Sequence, residues 1–160
     1  MLIEHVIMEA GAMPIYYFAY GMLTDPDYMP GAELIGAATL NNFEFELLAH
    51  ANVHPQAGAT AAGVLWAIDR QLLAQLDQVE GYPHYYDRKT VPVMCGGQRY
   101  EAEVYSMTPE SRAHSQGRPV SPRYVQTVIK GYNHAGVPVT QIDQAYQRDQ
   151  AHLAQPKKTG

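Results

Sequence analysis

The sequence predicts a single α+β domain in which strands outnumber helices. Phe43, Phe45 and Leu47 alternate with glutamates, and this period of two is typical of a strand with one buried face. Between Asp69 and Gly81, leucines and a valine recur at helical spacing instead. The chain of 160 residues has about the length of one domain, and no linker divides it.

Composition and charge narrow the classes of partner. Hydrophobic residues make up 46% of the chain, and no apolar run is long enough to cross a membrane. A formal net charge of −5 disfavours a nucleic-acid partner, because phosphate binding needs a clustered excess of lysine and arginine. The single cysteine cannot form an internal disulfide and no secretory signal is recognisable, so we expect a cytoplasmic protein that acts on a small molecule. No pair among the seven histidines has the spacing of a zinc site, so we expect no metal, and the local signatures of serine hydrolases and of nucleotide- and dinucleotide-binding proteins are missing.

An aromatic run of strand type, Tyr16 to Tyr20, opens the domain and ends at Gly21, the first residue that can turn sharply. Asp25-Pro26 can then cap and begin a short helix. A turn between a strand and a helix start leaves backbone N–H groups without partners, just beyond the carboxyl end of the strand. These residues predict either a pocket for an anion or a carbonyl oxygen, or an ordinary core strand followed by a turn.

The other elements follow from periodicity and from turn residues. We expect mainly strands over residues 32–68 with a loop at 52–59, a helix over 69–80, strands over 85–93 and 98–105 joined at Gly96-Gly97, and helices over 121–135 and 140–153. Residues 1–12 are expected to be an N-terminal appendage, for which disorder is one interpretation. The single domain then covers 13–155, and 156–160 form a mobile tail.

Glu80 is the candidate for acid/base chemistry. A carboxylate at a helix C-terminus faces the negative end of the helix dipole, and its aromatic neighbours would remove water from it. Both effects raise its pKa toward the range that suits a general base. The alternative is a solvated carboxylate at the helix end, paired with Arg88.

Three stretches in fixed order carry a resemblance to a known family. They are Tyr17-Phe18-Ala19-Tyr20-Gly21, then Gly63-Val64-Leu65-Trp66 with Leu76-Asp77 and Glu80-Gly81, then Ser121-Pro122-Arg123-Tyr124 with Gly136-Val137-Pro138. Over residues 16–146 the chain resembles the gamma-glutamylcyclotransferase-like, or AIG2-like, family. The resemblance implies a small, mostly antiparallel twisted β-barrel flanked by helices, with a pocket at one end of the barrel.

The resemblance also implies an activity and a site. Such an enzyme cyclises a gamma-glutamyl amide to 5-oxoproline and releases an amino acid or amine, without a metal or a cofactor. Glu80 would be the catalytic acid/base, and Tyr124 would line the substrate pocket. The substrate-binding turn would be Tyr20, Gly21, Met22 and Leu23, whose backbone amides hold the glutamyl part.

One departure from the family pattern bears on the substrate. The family commonly has Ser and Asn after the glycine, where this chain has Met22, Leu23 and Thr24. This loses the side-chain hydrogen bonds of the turn, while its backbone donors can remain. Two alternatives therefore stay open: a cyclotransferase for a specialised gamma-glutamyl amine in biosynthesis, and a binding module that keeps the pocket without turnover. The oligomeric state is not determined by these residues.

Overall fold

The computed structural model of the protein describes residues 13–154. The expected appendage at 1–12 and the expected tail at 156–160 lie outside the described residues. The strands are β1 (Ile15–Ala19), β2 (Glu33–Leu48), β3 (His50–Ile68), β4 (Tyr86–Cys95) and β5 (Gln98–Met107). The α-helices are α1 (Arg70–Val79), α2 (Pro109–Ser115), α3 (Pro122–Ala135), α4 (Thr140–Asp149) and α5 (Ala151–Ala154), and single 3-10 turns lie at Met22–Thr24 and Pro26–Tyr28.

The strands form a closed barrel in the order β1-β3-β2-β4-β5. Neighbouring strands run antiparallel except at the closure, where β1 and β5 are parallel and Tyr16 lies opposite Ala102. The barrel is therefore mostly antiparallel and flanked by helices, which confirms the α+β fold class and the architecture that the resemblance implied. Closure leaves no long unpaired sheet edge on β1, the strand that carries the candidate turn.

The prediction of a loop over 52–59 is wrong, because β3 runs through these residues. β2 and β3 form one long hairpin whose turn is Ala49, at φ +63, and Pro55 is paired with Phe43. The register then jumps, so that Asn42 faces residues 56–59 across a wide bulge, and its side chain accepts a hydrogen bond from the N–H of Gly58 at 3.1 Å. Proline and glycine thus mark a bulge inside a strand, because hairpin pairing on both sides outweighs their local preference for a loop.

Capping residues fix the helix ends as the sequence indicates. The Asp69 side chain accepts from the N–H of Leu72 at 2.8 Å, and the Ser121 side chain accepts from the N–H of Tyr124 at 3.1 Å. Helix α1 ends at Val79, one residue earlier than predicted, and Glu80 is its C-cap. Gly81 follows at φ +66, the left-handed conformation that ends a helix most readily at glycine.

Helix α2 is an element that the sequence reasoning missed. Its signal was present, since Thr108 caps it by accepting from the N–H of Ser111 at 3.1 Å and Pro109 occupies its first turn. The same Ser/Thr-Pro pattern at Ser121-Pro122 correctly predicted α3. Within residues 13–154, no helix is both long and apolar enough to cross a membrane.

Candidate active site

A pocket of about 300 Å³ lies where the turn after β1 meets the C-terminal end of α1. It is lined by Tyr17, Tyr20, Gly21, Met22, Leu23, His50, Ala51, Val79, Glu80, Tyr85, Tyr86 and Tyr124. All the residues predicted for the site are in this set: Glu80, Tyr124, and the turn residues Tyr20, Gly21, Met22 and Leu23. The fold therefore brings together three segments that are far apart in the sequence.

The turn after β1 is held by its carbonyl groups. The hydroxyl of Tyr132 donates to the carbonyl oxygen of Tyr20 at 2.6 Å, and the Trp66 indole N–H donates to that of Leu23 at 3.1 Å. The Thr24 hydroxyl and N–H both donate to the carbonyl oxygen of Gly21. Within the described part of the chain, the N–H groups of Gly21 and Leu23 find no acceptor, so the turn keeps free donors at the pocket wall.

Gly21 lies where there is little space for a side chain. A Cβ at this position would lie 3.0 Å from the Tyr124 hydroxyl oxygen and 3.1 Å from the Ala51 Cβ. A side chain at this position would require Tyr124 and Ala51 to shift by a few tenths of an ångström. The glycine of the predicted turn is thus set by packing against distant residues as well as by the turn itself.

Glu80 carries the carboxylate of the pocket. Burial raises its pKa from the usual value of about 4.5 to about 7. Among the described residues no cation forms an ion pair with it, and the alternative of a pair with Arg88 is wrong. The Arg88 side chain instead lies 3.3 Å from Asp77 and 3.4 Å from Glu103.

Tyr124 and Tyr86 hold the peptide groups of Ala51 from two sides. The Tyr124 hydroxyl accepts from the Ala51 N–H at 2.9 Å, and the Tyr86 hydroxyl donates to the Ala51 carbonyl oxygen at 2.9 Å. Burial raises the pKa of both phenols, and the nearby Glu80 carboxylate adds to the effect, so both stay protonated at neutral pH. The Tyr124 hydroxyl therefore retains a proton that it can donate into the pocket.

His50 is a pocket residue that sequence reasoning considered only as a metal ligand and set aside. Its ring packs edge-to-face on Tyr124 with the centroids 5.3 Å apart, and burial lowers its pKa, so it is neutral near pH 7. The β2–β3 turn places His50 and Ala51 in the pocket wall, and no local sequence motif predicts this position. Tyr85 and Tyr86 could have been found, because they lie in the same stretch as Glu80.

The pocket combines one weakly hydrated carboxylate, several phenols and free backbone donors. No lysine or arginine is among its described lining residues. In the described range 13–154, no group of three or more His, Cys, Asp or Glu side chains is arranged to hold a metal ion. Such a pocket can move a proton through Glu80 and can bind an anionic oxygen through the turn.

A family model identifies the family of this chain. The model described as gamma-glutamyl cyclotransferase, AIG2-like, matches residues 17–125, which include the turn, Glu80 and Tyr124. The chain belongs to this family. No curated protein matches the sequence, and the similarity therefore rests on the family model and on solved structures.

Solved structures of similar fold include gamma-glutamyl cyclotransferases. An uncharacterized human protein shares 21% sequence identity at a TM-score of 0.71, over 91% of this chain and 94% of that one. A structure described as gamma-glutamyl cyclotransferase shares 20% identity at a TM-score of 0.72, over 92% and 94%. A yeast gamma-glutamyl cyclotransferase specific to glutathione shares 11% identity at a TM-score of 0.53, over 85% and 99%. At these identities the likeness is one of fold.

Proposed function

We propose that this AIG2-like family member is a gamma-glutamyl cyclotransferase with Glu80 as its general acid/base. The observation that carries the proposal is the state of Glu80. It is a partly buried carboxylate with no cation beside it among residues 13–154, in the same pocket as the free N–H groups of the Gly21 turn. A base with a pKa of about 7 is half ionised at neutral pH, which is where proton transfer in both directions is most effective.

The turn would bind the substrate through its backbone. The N–H groups of Gly21 and Leu23 suit an anionic oxygen, either the alpha-carboxylate of the glutamyl group or the oxyanion that develops on its gamma-carbonyl. Replacement of Ser and Asn by Met22 and Leu23 does not affect these donors, since they belong to the main chain. Holding the flexible glutamyl chain in its ring-closing conformation can lower the barrier by roughly 7 to 11 kcal/mol.

The reaction then needs two protons to pass from the substrate alpha-nitrogen to the departing nitrogen. Glu80 takes a proton from the substrate alpha-ammonium, and the free amine attacks the gamma-carbonyl carbon to form the ring C–N bond. The protonated Glu80 gives this proton to the departing nitrogen as the original amide C–N bond breaks. The ring nitrogen loses its second proton to the Glu80 carboxylate, which passes it to the released amine. The products are 5-oxoproline and an amine or amino acid, and the carboxylate is restored. Proton transfer of this kind typically contributes about 100- to 10,000-fold in rate.

A specialised gamma-glutamyl amine is a second candidate substrate. The described lining residues include no lysine or arginine that could pair with a carboxylate on the leaving group. Met22, Val79 and Tyr85 also give the pocket an apolar wall. These features favour a leaving amine without a carboxylate over a leaving amino acid.

The test is release of 5-oxoproline from gamma-glutamyl amino acids and gamma-glutamyl amines by the purified protein. We expect turnover by the wild type, a loss of at least about 100-fold in Glu80→Gln, and no change in Glu110→Gln, whose side chain is exposed. Full activity of folded Glu80→Gln would remove Glu80 from the mechanism. Silence of the folded wild type across the panel would favour the non-catalytic binding module, and a ligand screen would follow.

A further inference from the structure

Helix α1 carries a second carboxylate near its C-terminal end. Asp77 lies three residues before Glu80, so the two side chains lie on neighbouring positions of the same side of the helix. The Asp77 Oδ1 atom accepts a hydrogen bond from the Tyr105 hydroxyl at 2.6 Å and lies 3.3 Å from Arg88 Nε. Arg88 Nη1 lies 3.4 Å from Glu103 Oε1, so two carboxylates share this guanidinium.

Arg88 is a cation close to the catalytic region. Its guanidinium carbon lies 5.1 Å from the centroid of the Tyr82 ring, two residues after Glu80. Burial and the hydrogen bond to Asp77 raise the pKa of the Tyr105 hydroxyl; Arg88 lowers it and Glu80 raises it, so both charges lie within range of one atom. A cation that came within about 4–6 Å of a carboxylate would lower the pKa of that carboxylate by roughly 1–3 units.

The other titratable groups around Glu80 do not provide a positive charge that would lower its pKa. His50 is held neutral by burial, and burial keeps the phenols of Tyr17, Tyr20, Tyr86 and Tyr124 protonated. The Tyr85 hydroxyl is bonded to Ser115 at 3.1 Å. Arg88, paired with Asp77 one helical turn before Glu80, is a cation whose movement would change the charge near Glu80.

We propose that Asp77 is a positioning residue for Glu80: together with Glu103 it holds the Arg88 guanidinium against the barrel wall and away from the pocket. The proposal rests on the proposed role of Glu80 as general base. Tyr105 orients Asp77 for this task, and the Tyr105 carbonyl oxygen accepts from the Tyr20 hydroxyl at 2.6 Å. The same chain of contacts thus joins the Glu80 helix to the substrate-binding turn.

Asp77→Asn tests the proposal, because its amide oxygen can still accept from Tyr105 while its charge for Arg88 is gone. We expect the pKa of Glu80 to fall by about 1 unit or more, since Arg88 is then free to approach it. The pKa is measured by carbon-13 NMR titration of the Glu80 carboxyl group, assigned with Glu80→Gln. The acidic limb of the kcat/KM profile should move by the same amount.

The double variant Asp77→Asn/Arg88→Gln separates Arg88 from the charge of Asp77 itself. We expect the Glu80 pKa to return to its wild-type value in the double variant. A pKa that stays low there would mean that loss of the Asp77 charge explains the shift, and would overturn the proposal. An unchanged pKa in folded Asp77→Asn, even with lower activity or stability, would overturn it too, because it would leave Asp77 a purely structural residue.

If Asp77→Asn does not fold, a less disruptive variant still tests the proposal. Glu103→Gln loosens the second hold on Arg88 and should lower the Glu80 pKa in the same direction, whereas Glu101→Gln, on an exposed pair with Arg99, should not. No shift in Glu103→Gln would contradict the proposal in that case. NMR titration needs no turnover, so a wild type without cyclotransferase activity would refute the proposed function and still report whether Asp77 controls the charge near Glu80.

Discussion

Glu46 and Glu80 are two glutamates in different parts of the domain, and their partners differ. Glu46, on β2, is 4% exposed and accepts two hydrogen bonds from Arg112 at 2.7 and 2.9 Å. It also accepts one from the Asn52 side-chain amide at 2.7 Å. Glu80, at the end of α1, has no cation of its own among the described residues, and burial raises its pKa to about 7.

The difference between them shows that its partners decide whether a buried carboxylate is structural or can exchange a proton. A buried carboxylate that is paired and hydrogen-bonded ties its elements together; here Glu46 joins β2 to α2 through Arg112. A carboxylate that is buried without a cation costs stability when it ionises and can exchange a proton near neutral pH. The sequence shows two glutamates, and only the partner makes one a structural residue and the other a candidate base.

Removal of the cation from Glu46 should give the larger effect on stability. Arg112→Met would leave the buried Glu46 carboxylate with only the Asn52 amide and the His54 ring beside it. We expect a loss of roughly 2–4 kcal/mol in the free energy of unfolding, moderated because the arginine side chain is 34% exposed. Urea denaturation at pH 7 measures it. Arg99→Met, which breaks an exposed pair with Glu101, is the control and should cost less than about 1 kcal/mol. Equal losses in the two variants would contradict the contrast.

Removal of the charge from Glu80 should raise the free energy of unfolding instead of lowering it. Its pKa is raised from about 4.5 to about 7 on folding, so the folded protein binds this proton more tightly than the unfolded chain does. Stability from this group is therefore present below about pH 4.5 and is lost as the pH rises to about 7.

Glu80→Gln should accordingly be more stable than the wild type above pH 7, by up to about 3 kcal/mol, and nearly equal to it at pH 4.5. Denaturation curves at the two pH values measure the difference, with the exposed Glu110→Gln as the control. A constant difference at both pH values would show that Glu80 does not ionise in this range.

Loss of the Tyr124 hydroxyl should have the smallest effect. Tyr124→Phe removes the acceptor of the Ala51 N–H and one donor of the pocket, and we expect kcat/KM to fall by about 2- to 12-fold, the worth of one neutral hydrogen bond. Tyr100→Phe, whose exposed hydroxyl donates to Gln98, is the control. An unchanged kcat/KM would leave Tyr124 a packing residue beside Glu80.

The sequence by itself determined the features that depend on neighbours in the chain. Asp69, Ser121 and Gly81 act at helix ends as predicted, and Gly96-Gly97 forms the predicted hairpin turn with both residues at positive φ. These signals are reliable because a cap or a tight turn is decided within about four residues. The family resemblance added the barrel, Tyr124 and the roles of Glu80 and of the turn residues, and all six candidate site residues lie around one pocket.

Tertiary structure decided the partners of the charged groups and the remaining walls of the pocket. Arg88 pairs with Asp77 and Glu103, and no spacing in the sequence distinguishes these carboxylates from Glu80. The β2–β3 hairpin carries His50 and Ala51 to Tyr124, more than seventy positions away. Whether a charge is buried or paired depends on which distant segments pack against it. The environment that sets the pKa of Glu80 is therefore a property of the folded domain and of no single segment.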